Sequence, residues 1–206
     1  ASELNGTFKN FLLIKDTIKA NVDLSVKDRS GFEIKKLTTA YKFSPAEMEF
    51  KDLDLITNRS HIKNYYAMRY NDFNDDMGNF EQAVTVVANF NGSNVHSDDL
   101  AFFASALKKW NRNFYINGDV SGTIDHLTGR QMLITSGNSN YFNGDFIIRG
   151  LPYTSETYLD VNSRELRTSY NELTSIIPSL RGINNPNLRA LGNINFKGNF
   201  TGFFHD

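Results

Sequence analysis

Asp72, Asn74 and Asp76 carry oxygen ligands at alternate positions and form the one short segment of this sequence whose spacing suits a cation. A calcium loop of the EF-hand kind needs oxygens at positions one, three and five, glycine at six and a bidentate glutamate at twelve. Here glycine comes one residue late at Gly78 and position twelve is Ala83, so NDFNDDMGN at 71–79 reads as a solvated acidic turn. The four histidines, His61, His96, His126 and His205, stand apart with no HExxH and no i,i+4 pair. A zinc site would need unrelated loops to converge. No G-x-S-x-G elbow marks a nucleophilic serine, and no P-loop or GxGxxG precedes a helix to hold phosphate. Of the carboxylate pairs, Asp98-Asp99 falls where a helix N-terminus accounts for it, and Asp75-Asp76 belongs to the acidic turn. With no catalytic constellation, the expectation is a protein that is not an enzyme and takes no cofactor or metal.

Composition narrows the classes further. Lys and Arg number 22 against 23 Asp and Glu, and a formal net charge of −1 gives no field to steer a nucleic acid or an anionic membrane. The chain lacks cysteine, which removes disulfides and thiolate sites but suits either redox compartment. The longest apolar runs, such as Phe11-Leu12-Leu13-Ile14, fall far short of the roughly 20 residues that cross a bilayer. The sequence starts on Ala1, shows no cleavable leader and stops directly after a strand-like pattern. Residues 1–206 are therefore expected to be a single β-rich segment of a longer protein. The sequons Asn91-Gly92-Ser93 and Asn199-Phe200-Thr201 carry little weight in a chain so rich in asparagine.

The elements that position these residues read mainly as strands. IKANVDLSVK at 18–27 puts Ile18, Ala20, Val22, Leu24 and Val26 on one face. Shorter strands are expected at 37–43, 48–56, 62–70, 130–135 and 157–161, and EQAVTVVANF aligns Val84, Val86, Ala88 and Phe90. NFYINGDVSGTI at 113–124 sets Phe114, Ile116, Val120 and Ile124 on one face, with Gly118 and Gly122 sharing it. Asn117-Gly118 could be a hairpin turn, but the same pattern recurs at 193–204, where Lys197-Gly198 is a poor turn signal and Phe196 and Phe200 flank the glycine. A third occurrence sets Phe142, Gly144, Phe146 and Ile148 on one face. Glycine within a strand marks a bend, a bulge or a close approach by another group. The Asn-Gly pairs at 5–6, 91–92, 117–118 and 143–144 also suggest many turns between short strands. Two helices are expected: one over 98–109, capped by Ser97, and one over 170–177, where Ser169 and Glu172 make a capping box and Pro178 stops the chain. Nothing in the order alternates as β-α-β.

One-sided strands can bury their apolar faces in a closed sandwich, under the helices, or in an open curled sheet; pattern alone favours the sandwich. The ordered segments LDLITNRSHI at 53–62, DDLAFF at 98–103, NGDVSGTIDHL at 117–127, FIIRGLP at 146–152 and LGNINFKGNFTGFF at 191–204 resemble the translocation and assembly module (TamB) family, within the wider AsmA-like group. The similarity runs from about residue 30 onward. It implies a mainly β protein, an elongated curled antiparallel or mixed sheet (β-taco or sandwich-like) with two short helices. It further implies a periplasmic body whose parent is anchored in the inner membrane, working in lipid movement between membranes or in outer-membrane assembly. On that resemblance phospholipid acyl chains are the partner. Outer-membrane assembly proteins would be met through regions outside this chain. The groove would be lined by Val84, Val86, Phe90, Phe114, Ile116, Val120, Ile124, Phe142, Phe146, Ile148, Phe196 and Phe200. The other reading, from a different class, is an interaction or carbohydrate-binding β-sandwich of a surface protein.

Overall fold

The computed structural model of the chain describes residues 3–101, 108, 110–153, 156–176, 178–183 and 187–203. Eleven strands form one sheet in which every strand pairs antiparallel with its neighbour in sequence. They are β1 (Glu3–Ile14), β2 (Thr17–Lys27), β3 (Glu33–Ser44), β4 (Glu47–Ile56), β5 (His61–Arg69) and β6 (Thr85–His96). The second half holds β7 (Asn113–Gly122), β8 (His126–Ser136), β9 (Asn140–Arg149), β10 (Tyr158–Ser169) and β11 (Asn193–Phe203). Among the described residues there is no second sheet, so the closed sandwich that the alternation favours is not formed. The mainly β, antiparallel expectation holds, in a single open sheet that is at most slightly curved.

The strands are longer than the alternation suggests, because β-bulges interrupt it. Between Gly129 and Met132 of β8 the register slips by a residue. Gln131 sits there at φ 51, and Asn10, Asp52 and Gly92 take similar left-handed values within β1, β4 and β6. Past each slip the apolar positions change parity, from Gly129 to Met132 and from Phe90 to Ser93. This explains two misreadings. The short strand expected over 157–161 starts at Tyr158 and runs on as β10 to Ser169, its apolar positions Val161 and Leu166 straddling a slip between Ser163 and Leu166. Residues 3–14 form a strand that was not expected, since Leu4 and Phe8 alternate before Asn10, and Phe11 and Leu13 after it. All four Asn-Gly pairs lie inside strands rather than at turns.

Helix is sparse. The acidic segment expected as a turn is α1 (Phe73–Gly78), capped by the Asp72 carboxylate, which accepts from the N–H groups of Asn74 and Asp75, and α2 (Phe80–Ala83) follows. The helix expected over 98–109 begins as α3 (Ser97–Leu100). Residues 102–107 and 109 lie outside the described residues. Its cap is His96, whose ring accepts from the N–H of Asp98, while the Ser97 hydroxyl accepts from the N–H of Arg112 instead. The last is α4 (Tyr170–Ile176), where the Glu172 N–H donates to Ser169 Oγ at 3.2 Å as the capping box requires. The α-helix ends at Ile176, ahead of Pro178, residue 177 lies outside the described residues, and a 3-10 turn occupies Pro178–Gly182. No helix among the described residues is long and apolar enough to cross a membrane.

Candidate functional site

One face of the sheet is apolar along rows that cross the strands. In a first row, Phe43, Met48, Met68, Val86, Gly122, Leu127, Ile148 and Leu159 stand opposite one another from β3 to β10. A second row carries Tyr41, Phe50, Tyr66, Ala88, Val120, Gly129, Phe146, Val161 and Phe200. A fourth runs through Ile116, Ile134, Phe142, Leu166 and Phe196. Between the last two, a third row holds the small residues, with Gly144, Ser163 and Gly198 side by side on β9, β10 and β11. Rings meet within these rows, with centroids 5.3 Å apart for Tyr41 and Phe50 and 6.1 Å for Phe50 and Tyr66. Burial pushes the Tyr66 phenol up to about 12, so it is neutral over the physiological range.

The strand glycines serve their own neighbours. At Gly118, φ is 122, and a Cβ would come within 2.8 Å of both Met132 Sδ and the Gln131 carbonyl oxygen. A Cβ on Gly144 would meet the Phe142 ring at 2.7 Å, and one on Gly129 would run into the Phe146 ring. Aromatic and thioether groups thus reach into the pits, and the close approach that glycine permits is by the sheet's own side chains and carbonyls.

Ten of the expected groove residues stand on this face: Val86, Phe90, Phe114, Ile116, Val120, Phe142, Phe146, Ile148, Phe196 and Phe200. Two do not belong to its strands. Ile124 lies in the turn between β7 and β8, after the strand ends at Gly122, and Val84 precedes β6 as the fully buried C-cap of α2. Ile124 loses its place in the alternation to the turn, whereas Val84 keeps extended backbone one residue ahead of β6. The structure adds residues that the sequence reading left out, chiefly Met132, Ile134 and Leu166 beyond bulges, and Phe8 and Leu13 on β1. The apolar signal was there in each case, but counting at period two fails across an inserted residue.

The opposite face is polar and held by cross-strand pairs. Glu47 takes Lys42 at 2.8 Å and Arg69 at 3.0 Å, and both keep its carboxyl below the usual range, Lys42 first. Asp54 accepts from Lys36 at 2.6 Å and contacts His61 at 2.5 Å. A depression of about 660 Å³ opens on this face, lined by Asp119, Arg130, Asp145, Asp160, Asn162 and Arg164 among others. At one end of the strands, buried Asp99 accepts from Thr57 Oγ1 at 2.5 Å, Ser60 Oγ at 2.7 Å and the Arg59 N–H at 3.0 Å. It joins the turn after β4 to the start of α3. Arg112 ties α4 down through Glu172 and Ser175.

No protein-family model, curated protein or solved structure matches this chain. What the site can do therefore follows from its geometry. Ser60, His96 and Asp99 are close neighbours, but the Ser60 hydroxyl accepts from the His96 backbone N–H and donates to Asp99, while the His96 ring faces Arg59 and Asp98. The serine proton is thus held by the Asp99 carboxylate and not by the His96 ring, so the three residues do not have the Ser-His-Asp order of a catalytic triad. The apolar face offers hydrocarbon contact.

Proposed function

We propose that this chain is a lipid-conducting segment of a TamB/AsmA-like protein of the periplasm, whose parent is anchored in the inner membrane by a region outside these residues. The observation that carries the reading is the apolar face, which crosses the sheet from edge to edge with no second sheet over it among the described residues. A one-layer sheet with one greasy side leaves apolar area to be covered, and hydrocarbon gains about 0.8 kcal/mol for each methylene it buries there. The rows run across the strands, so ten inter-strand spacings of about 4.8 Å give a continuous apolar path on the order of 48 Å. That path exceeds one acyl chain, which suits passage along the sheet better than a fixed pocket does. Rings over the glycines keep the path shallow. Support of outer-membrane assembly would be a further task of the parent, through regions outside this chain.

The experiment is photo-crosslinking in the full-length protein. A photoreactive side chain at Ile116, Phe146 or Phe196, on the apolar face, is expected to capture lipid, and one at Asn117 or Asn195, on the polar face, is not. Equal capture at both sets, or none at any apolar position in a folded protein, overturns the reading.

A further inference from the structure

The third row contains a hydroxyl with nothing to bond to. Ser163 is 2% exposed, and its Oγ is closed to solvent and lacks a hydrogen-bond partner. The other such atoms among the described residues are Asn94 Oδ1 and Ser136 Oγ. Asn94 shares the polar face with Tyr115, its partner on β7, and Ser136 ends β8 at a turn. Ser163 differs because it sits in the middle of an apolar field, directly opposite Gly144 on one side and Gly198 on the other. Three neighbouring strands thus place their smallest side chains in line, between the bulky second row (Phe146, Val161, Phe200) and the bulky fourth. The result is a notch across the strands, parallel to the apolar path.

The notch is filled from within. At Gly144 the point where a Cβ would stand is bounded first by the backbone carbonyl oxygen of Asn162 and then by the Phe142 ring at 2.7 Å, and at Gly198 the Phe196 ring stands in ordinary contact at 3.4 Å. Both phenylalanines reach two residues along their own strands to do so. Side chains that fill a glycine pit by lying over it can turn away when another chain takes the space, whereas a Cβ in the strand could not. A buried hydroxyl without a partner costs about 1–3 kcal/mol, a cost that an apolar residue at position 163 would avoid. The feature that would offset it is an acceptor arriving with the occupant.

We infer that Ser163 is a specificity-determining contact of the apolar path, donating its hydroxyl proton to the ester carbonyl of an acyl chain that enters the notch as Phe142 and Phe196 swing aside. The inference rests on the lipid reading above and narrows it: the cargo is an ester-linked lipid, told from a plain hydrocarbon or an ether lipid by one hydrogen bond. A carbonyl suits the site because it accepts without donating, and among the described residues the hydroxyl is the one buried side-chain polar atom of this row without a partner.

The test compares two lipids on the full chain and on Ser163→Ala. Vesicles of dioleoyl phosphatidylglycerol, or of its dioleyl ether analogue, are offered to the protein, and retained lipid is quantified after size exclusion. The parent protein is expected to retain the ester lipid about three- to tenfold better, the worth of one net hydrogen bond. Ser163→Ala is expected to lose that preference while binding the ether lipid as before. The same variant is expected to melt about 2–4 °C higher without ligand, because an orphaned polar group has gone. Equal retention of the two lipids by the parent, or a preference that survives Ser163→Ala, overturns the role of Ser163 and leaves the lipid path standing. A fall in Tm also overturns it, since the hydroxyl would then have a partner in the fold. Failure of the folded parent to retain either lipid overturns both.

Discussion

At the residue scale, stability concentrates where a few polar side chains are buried at the strand ends. Asp99 holds three donors from the turn after β4. Burial alone would raise its pKa, but the hydrogen bonds from Thr57, Ser60 and the backbone outweigh it and leave the carboxyl below its usual value. Asp99→Ala strands those donors and is expected to cost about 3 kcal/mol, read as a lower midpoint in urea with an unchanged slope. The pH sign follows from the lowered pKa. The folded state binds the proton less readily than the unfolded one, so this contribution is complete above the ordinary carboxylate range and is lost as pH falls through it. Asp99→Asn should therefore flatten the acid limb of the stability curve, and an acid limb identical to the parent's would show that another group sets it. The helix dipole reading of this residue was incomplete. Its carboxylate does stand in the first turn of α3, but it points back to a turn some 40 residues earlier in the chain.

At the scale of elements, the bulges decide which face each half-strand presents. In β8, Gly129 and Met132 both face the apolar side, with Arg130 and Gln131 between them. Removing Gln131 restores plain alternation and keeps both on that face, at the loss of its N–H bond to Asp145. Removing Leu133 instead turns Ile134 and Ser136 outward. Deletion of Gln131 is thus expected to leave a cooperative thermal transition, while deletion of Leu133 abolishes it. Loss of folding in both variants would show that the bulge itself holds the sheet together. The helix α1 is missing from the sequence expectation because its stripe is short; Phe73 packs edge-on to Phe43 of β3 and to Tyr70, which follows β5, at 5.4 Å from each.

On the scale of the whole molecule, the sheet is open at β1, where Leu4 is 67% exposed and Phe8 and Leu13 are each 61% exposed. The row neighbours of these residues further into the sheet are better covered, Val22 among them at 6%. Such an edge, apolar and without proline, invites association. Phe8→Lys with Leu13→Lys is expected to suppress light scattering at high protein concentration while leaving Tm within about 2 °C, since little burial is lost. Val86→Lys, in the covered part of the same rows, is expected to unfold the chain. A large drop in Tm for the β1 pair would mean that this edge is covered in solution.

The sequence by itself determined the strand-rich composition of the chain, the apolar parity of β2, β7, β9 and β11, and the capping box that starts α4. Each of these is local, because side-chain alternation and a cap depend only on residues a few positions apart. Only the tertiary structure decided that the strands form one layer and not two, since a half-apolar strand looks the same whether a second sheet or a ligand covers it. It also decided the strand boundaries at β1 and β10, where an inserted residue shifts parity, and it showed what fills the glycine pits. The pairing of Asp99 with the turn at Thr57–Ser60 was equally hidden. Contacts of that kind are made across the fold, between segments whose separation along the chain leaves no periodic trace.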